Sequence, residues 1–404
     1  MTKNRDIVDR ARRVLLGNYS PAPIALVSGK GCRLTDADGK SYLDLCAGIA
    51  VVAVGHAHPV LARAIAEQAG TLMHVSNLVH NLPAVELAEE LAKRTPFSRF
   101  YFCNSGAEAN EALFKLARRH HYGRGDRERI EIIAAQGSFH GRTLGALSLT
   151  GQTKYQEGMG PLVPGVRHVP YGDLDALRDA VGARTAAVLL EPIQGEGGIV
   201  DAGDDYLRGA HALCNERGAL LMFDEVQTGF GRTGRFLGSE HSGVVPDAVS
   251  LGKGIGSGFP LGAMGVVESL AGALPPGSHA TTYGGNPLAC AAARAVLRIV
   301  DDERLVENAQ RVGAYLGDAL ERIARAEGLA AVEARGRGLL RGLKLAPGTD
   351  APATLASIRE GGVLLSLAGG DVLRFTPPLC VTEAEIDEGV AVVERVLRTP
   401  PRRA

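Results

Sequence analysis

The chain has 404 residues, of which 45% are hydrophobic, and its 44 basic and 45 acidic side chains give a formal net charge of −1. Because the two signs balance, the composition argues against the strongly basic surface that binds nucleic acids or anionic membranes. The length favours two domains, or one large α/β body with an appendage, over a single minimal domain.

The six cysteines are widely scattered and include no C-x-x-C pair, which favours reduced, buried thiols over disulfides or a metal site. The first residues carry charges throughout and lack the apolar core of a secretory signal peptide. No apolar run approaches the ~20 residues that would cross a bilayer. We therefore expect a cytoplasmic protein with neither a metal site nor a membrane segment.

The N-terminal part of the chain predicts helices around a small β unit. An opening helix that includes Val14 and Leu15 precedes a hairpin whose strands meet at an Asp38–Gly39 turn. Apolar residues recur at helical spacing over residues 59–74, and a second helix over residues 83–93 has a proline in its first turn.

Between about residues 99 and 267, short apolar runs alternate with helical patterns. The runs are continuously apolar, which is typical of strands buried on both faces. They are FYFCN, IEIIAA, AAVLLEP, ALLMFDE, AVSLG and GAMGVV, and the helical patterns cover residues 108–119, 173–183 and 204–217. This alternation predicts a mainly parallel sheet with helices on both sides, and such sheets bind ligands at the carboxyl ends of their strands.

The remainder of the chain predicts an α+β region. Its helical patterns and strand-like runs are residues 288–300 and 305–326, then GLLRGLKL, GVLLS and DVLRFTP, then residues 383–398. We expect residues 59–300 to form one large domain. The two ends of the chain, residues 1–58 and 301–404, are expected to join in a smaller one.

Three of the predicted strands are followed directly by polar residues suited to catalysis or binding. Strand FYFCN breaks into Ser105–Ala107 at the start of a helix, where free N–H groups and the helix dipole favour an anion such as phosphate. Asp224 lies at the end of ALLMFDE, where a buried carboxylate is costly unless it is paired, and Gln227 follows it. Lys253 follows AVSLG among four glycines, which leave its amine open to close approach.

The loop after IEIIAA contributes two further candidates. Phe139 is suited to cover one face of a planar ring, and the guanidinium of Arg142 is suited to bind a carboxylate. Each of these motifs alone also has a structural interpretation. Ser105 would then be only a helix cap, Phe139 a core residue, His140 a structural histidine and Arg142 half of a surface ion pair.

Two other motifs carry less weight. The glycines of GFGRTG, residues 229–234, match the dinucleotide fingerprint G-x-G-x-x-G, but the helical pattern that this fingerprint requires does not follow them. His56 and His58 have no carboxylate or cysteine at ligand spacing, and there is no Walker A motif. The sequence therefore gives little support to a nicotinamide, nucleotide or metal site.

Taken together, the phosphate-binding turn, the aromatic residue, the carboxylate and the lysine are the set that pyridoxal 5′-phosphate needs. Its phosphate binds N–H donors, its aldehyde forms a Schiff base with a lysine, and its ring nitrogen needs an acidic partner. Because Lys253 must lose its proton to attack a carbonyl, we expect burial or nearby positive charge to lower its pKa.

Six ordered blocks along nearly the whole chain resemble the class III pyridoxal-phosphate-dependent aminotransferases. The blocks are NSGAEANEALFKLAR, SFHGRTLGALSLTG, LLEPIQGEGG, LMFDEVQTGFGRTG, GKGIGSGFPLGA and TTYGGNPLACAAA. The resemblance implies the α/β architecture known as fold type I. That fold has a large domain with a mostly parallel seven-stranded sheet, a small α+β domain from both chain ends, and a homodimer with shared active sites.

The resemblance also implies roles in cofactor binding and catalysis. Lys253 would form the Schiff base and later transfer protons as general base and acid, and Asp224 would pair with the pyridine nitrogen. Gln227 would lie near the phenolic oxygen of the cofactor, and Phe139 would lie on its ring. The residues expected at the phosphate are Ser105, Gly106 and Ala107.

Further residues match the family's substrate-binding positions. Arg142 and Arg374 match the arginines that hold substrate carboxylates, and Glu196 matches the glutamate that pairs with Arg374 for one substrate and releases it for the other. Thr281 lies at the contact with the acyl substrate, where the family often has serine. Thr282 would reach the phosphate of the partner subunit's cofactor, so that each active site would need the dimer.

Within the family, the chain looks most similar to members that act on N2-acetyl-L-ornithine. The implied reaction moves the ω-amino group between N2-acetyl-L-ornithine and 2-oxoglutarate, giving N-acetyl-L-glutamate 5-semialdehyde and L-glutamate, and runs in reverse in arginine biosynthesis. Relatives that act on succinylornithine, ornithine, 4-aminobutyrate or an acetylated amine of lysine synthesis stay open. So does one other class, an NAD(P)-dependent oxidoreductase. A binding protein without catalytic activity would be expected to lack the lysine or the aspartate, and Lys253 and Asp224 are both present.

Overall fold

The structure is a computed structural model that describes residues 2–401. Numbered in chain order, its helices are α1 (Lys3–Val14), α2 (Ala47–Ala50), α3 (Pro59–Ala69), α4 (Leu82–Arg94), α5 (Gly106–Gly123), α6 (Leu144–Leu149), α7 (Leu174–Ala180), α8 (Asp204–Arg217), α9 (Pro287–Asp302), α10 (Leu305–Arg325), α11 (Ala351–Glu360) and α12 (Glu383–Arg398). The first ten strands are β1 (Leu26–Lys30), β2 (Arg33–Asp36), β3 (Ser41–Asp44), β4 (Arg99–Cys103), β5 (Glu131–Ala135), β6 (Val166–Val169), β7 (Thr185–Leu190), β8 (Leu220–Asp224), β9 (Ala248–Leu251) and β10 (Gly262–Val266). The last five are β11 (Ala331–Arg337), β12 (Leu340–Leu345), β13 (Val363–Leu364), β14 (Ser366–Ala368) and β15 (Val372–Phe375).

The largest sheet has seven strands in the order β4-β10-β9-β8-β7-β5-β6. Neighbouring strands from β9 to β6 pair in parallel, whereas β10 pairs antiparallel with both β9 and β4. Because β10 is reversed between them, β4 runs in the same direction as β9. The expected α/β fold with a mostly parallel seven-stranded sheet is therefore confirmed.

Helices cover both faces of this sheet, which explains why its central strands are continuously apolar. All six residues of β7 are buried. Val188 and Leu190 pack into a core with α7 and α8, while Ala187 and Leu189 pack on the other face with α5. Since successive side chains point to opposite faces, a strand covered on both sides must be apolar at every position.

Some elements differ from the predictions. Strand β6 has the sequence VRHV and was not predicted, because it lies at the sheet edge and its Arg167 side chain is exposed. Strand β11 was also not predicted, and its sequence, AVEARGR, has too few apolar residues to form an apolar run. The helix expected over residues 59–74 ends earlier, at Ala69, with Gly70 as its cap.

The two ends of the chain form two smaller sheets and meet in one of them. One sheet has the order β1-β2-β3-β13, in which β13 from the C-terminal part pairs in parallel with β3 from the N-terminal part. The other has the order β11-β12-β15-β14. Leu43 and Leu45 share a buried core with Ile386 and Val390 of α12. The domain boundaries at residues 58/59 and 300/301 stay a prediction.

Among the helices of residues 2–401, none combines the length and apolar character needed to cross a membrane.

Candidate active site

The carboxyl ends of the parallel strands meet at one edge of the large sheet, and a cavity of about 320 Å³ lies there. The loops after β4, β5, β7, β8 and β9 form its wall. Its lining residues are Gly106, Ala107, Asn110, Phe139, His140, Gly141, Arg142, Glu191, Asp224, Val226, Gln227 and Lys253. The structure thus brings most of the predicted cofactor residues together.

The first turn of α5 forms the part of the cavity predicted to bind phosphate. Ser105 caps the helix, and its hydroxyl accepts a hydrogen bond from the Glu108 N–H at 3.2 Å. The N–H groups of Gly106 and Ala107 have no acceptor within the helix, because the first turn never does. A side chain at position 106 would approach the Val226 side chain to 2.7 Å, so only glycine fits this contact.

Asp224 is buried at the end of β8 and is held by three donors. Its Oδ2 accepts hydrogen bonds from Asn110 Nδ2 and His140 Nδ1, both at 2.7 Å, and its Oδ1 accepts one from the Val226 N–H at 2.9 Å. Burial opposes ionisation, but these hydrogen bonds and the neighbouring His140 outweigh it and lower the pKa of Asp224. The cavity therefore contains a carboxylate that stays ionised.

Three residues of this site were not among the predicted site residues. His140 was interpreted as structural, yet it contacts Asp224 directly, and its buried Nε2 has no partner among the described residues. Asn110 was missed because it lies inside the apolar pattern of α5, and Glu191 because it ends the strand-like run AAVLLEP. Burial raises the pKa of Glu191 to about 7 even though it accepts hydrogen bonds from the N–H groups of Phe139 and Gly195.

Lys253 is separated from the end of β9 by Gly252 and begins a short 3-10 turn. Its backbone has a φ of 46°, a left-handed conformation that is strained for a residue with a side chain and that clusters at functional sites. Burial, with a smaller contribution from Arg374, lowers the pKa of Lys253 to about 8, although Glu196 and Asp224 partly offset this effect. The expected lowering of its pKa is thus present, and burial is its main cause.

An ion pair adjoins the cavity on the side of Gln227. The guanidinium of Arg374, which is buried, pairs with the carboxylate of Glu196. Arg374 also donates to Ser366 Oγ at 3.0 Å and to Gln227 Oε1 at 3.3 Å. Burial opposes the ionisation of Glu196, but the positive charges of Arg374 and then Lys253 lower its pKa. Arg374 is therefore linked to the cavity through Gln227, and Glu196 is ionised.

Arg142 lies at the mouth of the cavity and is exposed. Its guanidinium carbon is 4.0 Å from the ring centroid of Tyr155 and 5.6 Å from that of Phe139. No carboxylate of the described residues forms an ion pair with it, so the structure does not support the alternative of a surface ion pair.

Thr281 and Thr282 do not line this cavity. Thr282 is exposed, and the Thr281 hydroxyl accepts a hydrogen bond from Asn104 Nδ2 at 3.2 Å. Their loop is held by Asn77, whose Nδ2 donates to the carbonyls of Thr281 and Gly284. The two threonines therefore lie outside the group of residues that this chain brings together around Lys253.

The glycines of GFGRTG form turns rather than the start of an α-helix. Glu225 holds the following residues, because its carboxylate accepts hydrogen bonds from the N–H groups of Gly238 and Ser239 at 2.8 and 2.7 Å. The segment lacks the helix N-terminus that binds a dinucleotide pyrophosphate, which removes the basis for a nicotinamide site.

A family model described as Aminotransferase class-III matches residues 16–397. The chain belongs to this family. It is a transaminase, and its cofactor is pyridoxal phosphate.

Individual relatives cover almost the entire chain. An acetylornithine aminotransferase from Myxococcus xanthus is 48% identical, over 94% of this chain and 95% of its own length. A succinylornithine transaminase/acetylornithine aminotransferase from Pseudomonas aeruginosa is 45% identical, over 95% of each. The crystal structure of the ornithine aminotransferase from Toxoplasma gondii superimposes with a TM-score of 0.95 at 33% identity, over 98% of this chain and 95% of that one.

The residues around the cavity fit pyridoxal phosphate. The ionised Asp224 retains lone pairs for a protonated ring nitrogen, since only three donors reach its two oxygens. The N–H groups at the start of α5 suit a phosphate, and the lowered pKa of Lys253 suits an amine that must bond to an aldehyde.

Proposed function

We propose that this chain transfers the ω-amino group between N2-acetyl-L-ornithine and 2-oxoglutarate, giving N-acetyl-L-glutamate 5-semialdehyde and L-glutamate. The observation that carries the substrate class is the pair of guanidinium groups, Arg142 at the cavity mouth and Arg374 beside Gln227. Both substrates carry carboxylates, which arginine binds through two parallel hydrogen bonds. The name acetylornithine aminotransferase, carried by the 48%-identical relative, supports this substrate.

We assign the cofactor contacts as follows. Ser105, Gly106 and Ala107 bind the phosphate, and Phe139 covers the ring. Asp224 keeps a proton on the ring nitrogen, which it can do because it is ionised. Gln227 lies near the phenolic oxygen. When bound, pyridoxal phosphate supplies an aldehyde for covalent capture of amines and a ring that accepts the electrons of a broken C–H bond.

Lys253 is the proposed catalytic residue. With pyridoxal phosphate bound, the Lys253 amine would hold its aldehyde covalently and would be freed when a substrate amine takes its place. The free, neutral amine would then take the proton from the substrate carbon as a base and give it up again at another carbon as an acid. Because its pKa is about 8 rather than near 10, an amine in this site can do both near neutral pH.

Arg374 and Glu196 are proposed to distinguish the two substrates. With the longer acylated amine bound, Arg374 stays paired with Glu196 and only Arg142 holds the substrate carboxylate. With 2-oxoglutarate or glutamate bound, Glu196 releases Arg374, which then binds the second carboxylate. Thr281 is assigned to the contact with the acyl group.

We also propose a homodimer in which Thr282 contacts the phosphate of the partner subunit's cofactor. Support comes from Thr282 being exposed and outside its own chain's cavity. Large apolar side chains are exposed nearby. Tyr283, which follows Thr282, is 61% exposed, and Leu78, in the segment held against this loop by Asn77, is 93% exposed. Such a patch is typical of a protein–protein interface.

A cytoplasmic location is proposed because the six cysteines are free thiols, which persist in reducing compartments.

The first test is a substrate panel with purified protein. N2-acetylornithine, N2-succinylornithine, ornithine and 4-aminobutyrate are each offered with 2-oxoglutarate, and kcat/KM is compared. We expect N2-acetylornithine to give the highest value. A higher value for ornithine or 4-aminobutyrate would overturn the proposed substrate but not the aminotransferase chemistry.

A second test addresses the proposed role of Lys253. Borohydride reduction of the protein, followed by proteolysis and mass spectrometry, should place the mass of the cofactor on the peptide containing Lys253. Lys253→Ala should lose both the label and the activity. A label on another lysine would refute the assignment.

Succinylornithine is the second candidate donor, because a relative at 45% identity carries both substrate names. The two acyl groups differ by a carboxylate, so a positive side chain near the acyl group would favour the succinyl compound. The same panel separates them, through the ratio of the two kcat/KM values.

A further inference from the structure

The ring of Tyr155 lies against the guanidinium of Arg142, thirteen residues away in sequence. The guanidinium carbon is 4.0 Å from the Tyr155 centroid, which is within the range of a cation–π contact. The ring of Phe139, which lines the same cavity as Lys253, meets Tyr155 edge to face at a centroid distance of 5.7 Å. Arg142 therefore rests against two aromatic rings.

The turn that carries Tyr155 is tied to the loop that carries Phe139. Tyr155 ends a 3-10 turn of three residues, Thr153–Tyr155. On one side, Gln152 Nε2 donates to the carbonyls of Gly137 and Ser138 at 3.1 and 3.2 Å. On the other, Gln156 Nε2 donates to the carbonyl of Thr150 at 2.8 Å. The ring is thus fixed relative to the cavity wall and not carried on a free loop.

We propose that Tyr155 is a positioning residue for substrate binding, which holds the Arg142 fork in the orientation that receives a substrate carboxylate. This inference rests on the proposed role of Arg142. An exposed arginine without an ion-pair partner would otherwise sample many rotamers, and ordering it costs binding free energy. Stacking on Tyr155 orders the Arg142 side chain before the substrate binds. It also leaves the N–H donors of the guanidinium free for a carboxylate, because an aromatic face does not occupy them.

The experiment compares variants of the holoenzyme by steady-state kinetics. Tyr155→Leu should raise KM for both 2-oxoglutarate and the amino donor about fivefold, a loss within the usual range for a cation–π contact, and change kcat less than twofold. Tyr155→Phe retains the aromatic face and should restore the wild-type KM. Glutarate, a dicarboxylate that cannot react, should inhibit the Tyr155→Leu variant about fivefold more weakly.

The control is Tyr122→Leu. Tyr122 lies at the far end of α5, and its ring also contacts two arginines, Arg119 and Arg127, each at 5.2 Å. Its loss should leave both KM values unchanged. Tyr155→Gln serves as a second variant without an aromatic face, and the thermal midpoint of each variant shows whether it folds.

A double-mutant comparison separates this inference from the proposed function. Arg142→Ala should raise both KM values by more than Tyr155→Leu does, and adding Tyr155→Leu to it should change them no further. If Arg142→Ala leaves KM unchanged, the proposed role of Arg142 fails. If it raises KM but Tyr155→Leu does not, or if the two losses simply add, the role of Tyr155 is overturned.

Discussion

An amine must be neutral to bond to an aldehyde, yet lysine is normally charged at neutral pH. At Lys253 the surrounding protein resolves this conflict mainly by burial, which lowers the pKa to about 8. At pH 7 about one molecule in ten then carries the neutral amine, against about one in three thousand for an ordinary lysine. The neighbouring carboxylates of Glu196 and Asp224 oppose the shift and keep it moderate.

The first prediction concerns the pH dependence of cofactor attachment. With a pKa of about 8, the Lys253 amine is half neutral at pH 8 and nearly all neutral above pH 9. We expect the rate at which pyridoxal phosphate binds covalently to the apoprotein, followed by absorbance, to rise roughly tenfold from pH 6 to 7. Nα-acetyllysine in free solution is the reference, because its rate should still rise above pH 9. A ratio of the two rates that stays constant from pH 7 to 10 would contradict the prediction, because the Lys253 rate should level off there while the reference rate keeps rising.

The second prediction concerns the pair formed by Glu196 and Arg374. Glu196→Gln removes the negative charge that holds the arginine, so the arginine is available to the second carboxylate of 2-oxoglutarate. We expect KM for 2-oxoglutarate to fall about fivefold, roughly 1 kcal/mol, and KM for the acylated amine to rise. Stopped-flow measurements of the two half-reactions would show the two changes separately, as tighter binding of 2-oxoglutarate and weaker binding of the acylated amine. Glu388→Gln, which breaks an exposed pair with Arg33, should change neither. A shift of both KM values in the same direction would disprove the proposed switch.

At the scale of elements, α5 connects the two ends of the proposed cofactor site. Its first turn offers N–H groups for the phosphate, and Asn110, on its next turn, donates to Asp224. The same amide donates to the carbonyl of His140 at 2.8 Å and so also fixes the loop after β5. A single rigid helix therefore sets the distance between the phosphate site and the carboxylate.

The third prediction tests this connection. Asn110→Leu keeps the approximate volume of the side chain but removes a donor to a buried carboxylate, a hydrogen bond typically worth about 1.5–3 kcal/mol. We expect the dissociation constant for pyridoxal phosphate to rise at least tenfold, measured by equilibrium dialysis with the apoprotein. Asn308→Leu is the control. The Asn308 amide also donates two hydrogen bonds, to the carbonyls of Leu379 and Val381, but none of these residues lines the cavity. Unchanged cofactor affinity in Asn110→Leu would show that Asp224 does not need this support.

The sequence predicted those elements whose physical environment leaves a local pattern. Strands buried on both faces, such as β7, appear as apolar runs, and the residues that follow them were correctly expected at one edge of the sheet. Edge strand β6 leaves no such run because its Arg167 is exposed. The contacts of Asn110 and His140 with Asp224 were not predicted, since they depend on packing between segments that are distant in sequence. Tyr155 contacts a nearby loop, but only the folded path of the chain turns its ring toward Arg142.

At the scale of the whole molecule, one face carries exposed apolar side chains next to the loop of Thr281 and Thr282. Asn81 Nδ2 donates to the carbonyl of Gly285 at 3.0 Å, and the rings of His74 and Tyr283 lie 5.3 Å apart, so the segment that carries Leu78 packs directly against this loop. If a second copy covers this face, it also receives Thr282. Dimer formation and completion of the active site would then be one event.

The fourth prediction is that Leu78→Asp separates the proposed dimer and weakens cofactor binding at the same time. Leu78 is 93% exposed in the single chain, so the substitution should not disturb its fold, but burying a carboxylate in an apolar interface is costly. We expect light scattering to show the mass of one chain at concentrations where the unaltered protein has twice that mass. Cofactor affinity should fall at least tenfold, because the contact from Thr282 is lost. Val332→Asp replaces an apolar residue that is 50% exposed on β11 and should remain dimeric and active. If Leu78→Asp forms monomers that keep full cofactor affinity, the partner's threonine is not part of the site, and the shared active site is wrong even though the dimer is right.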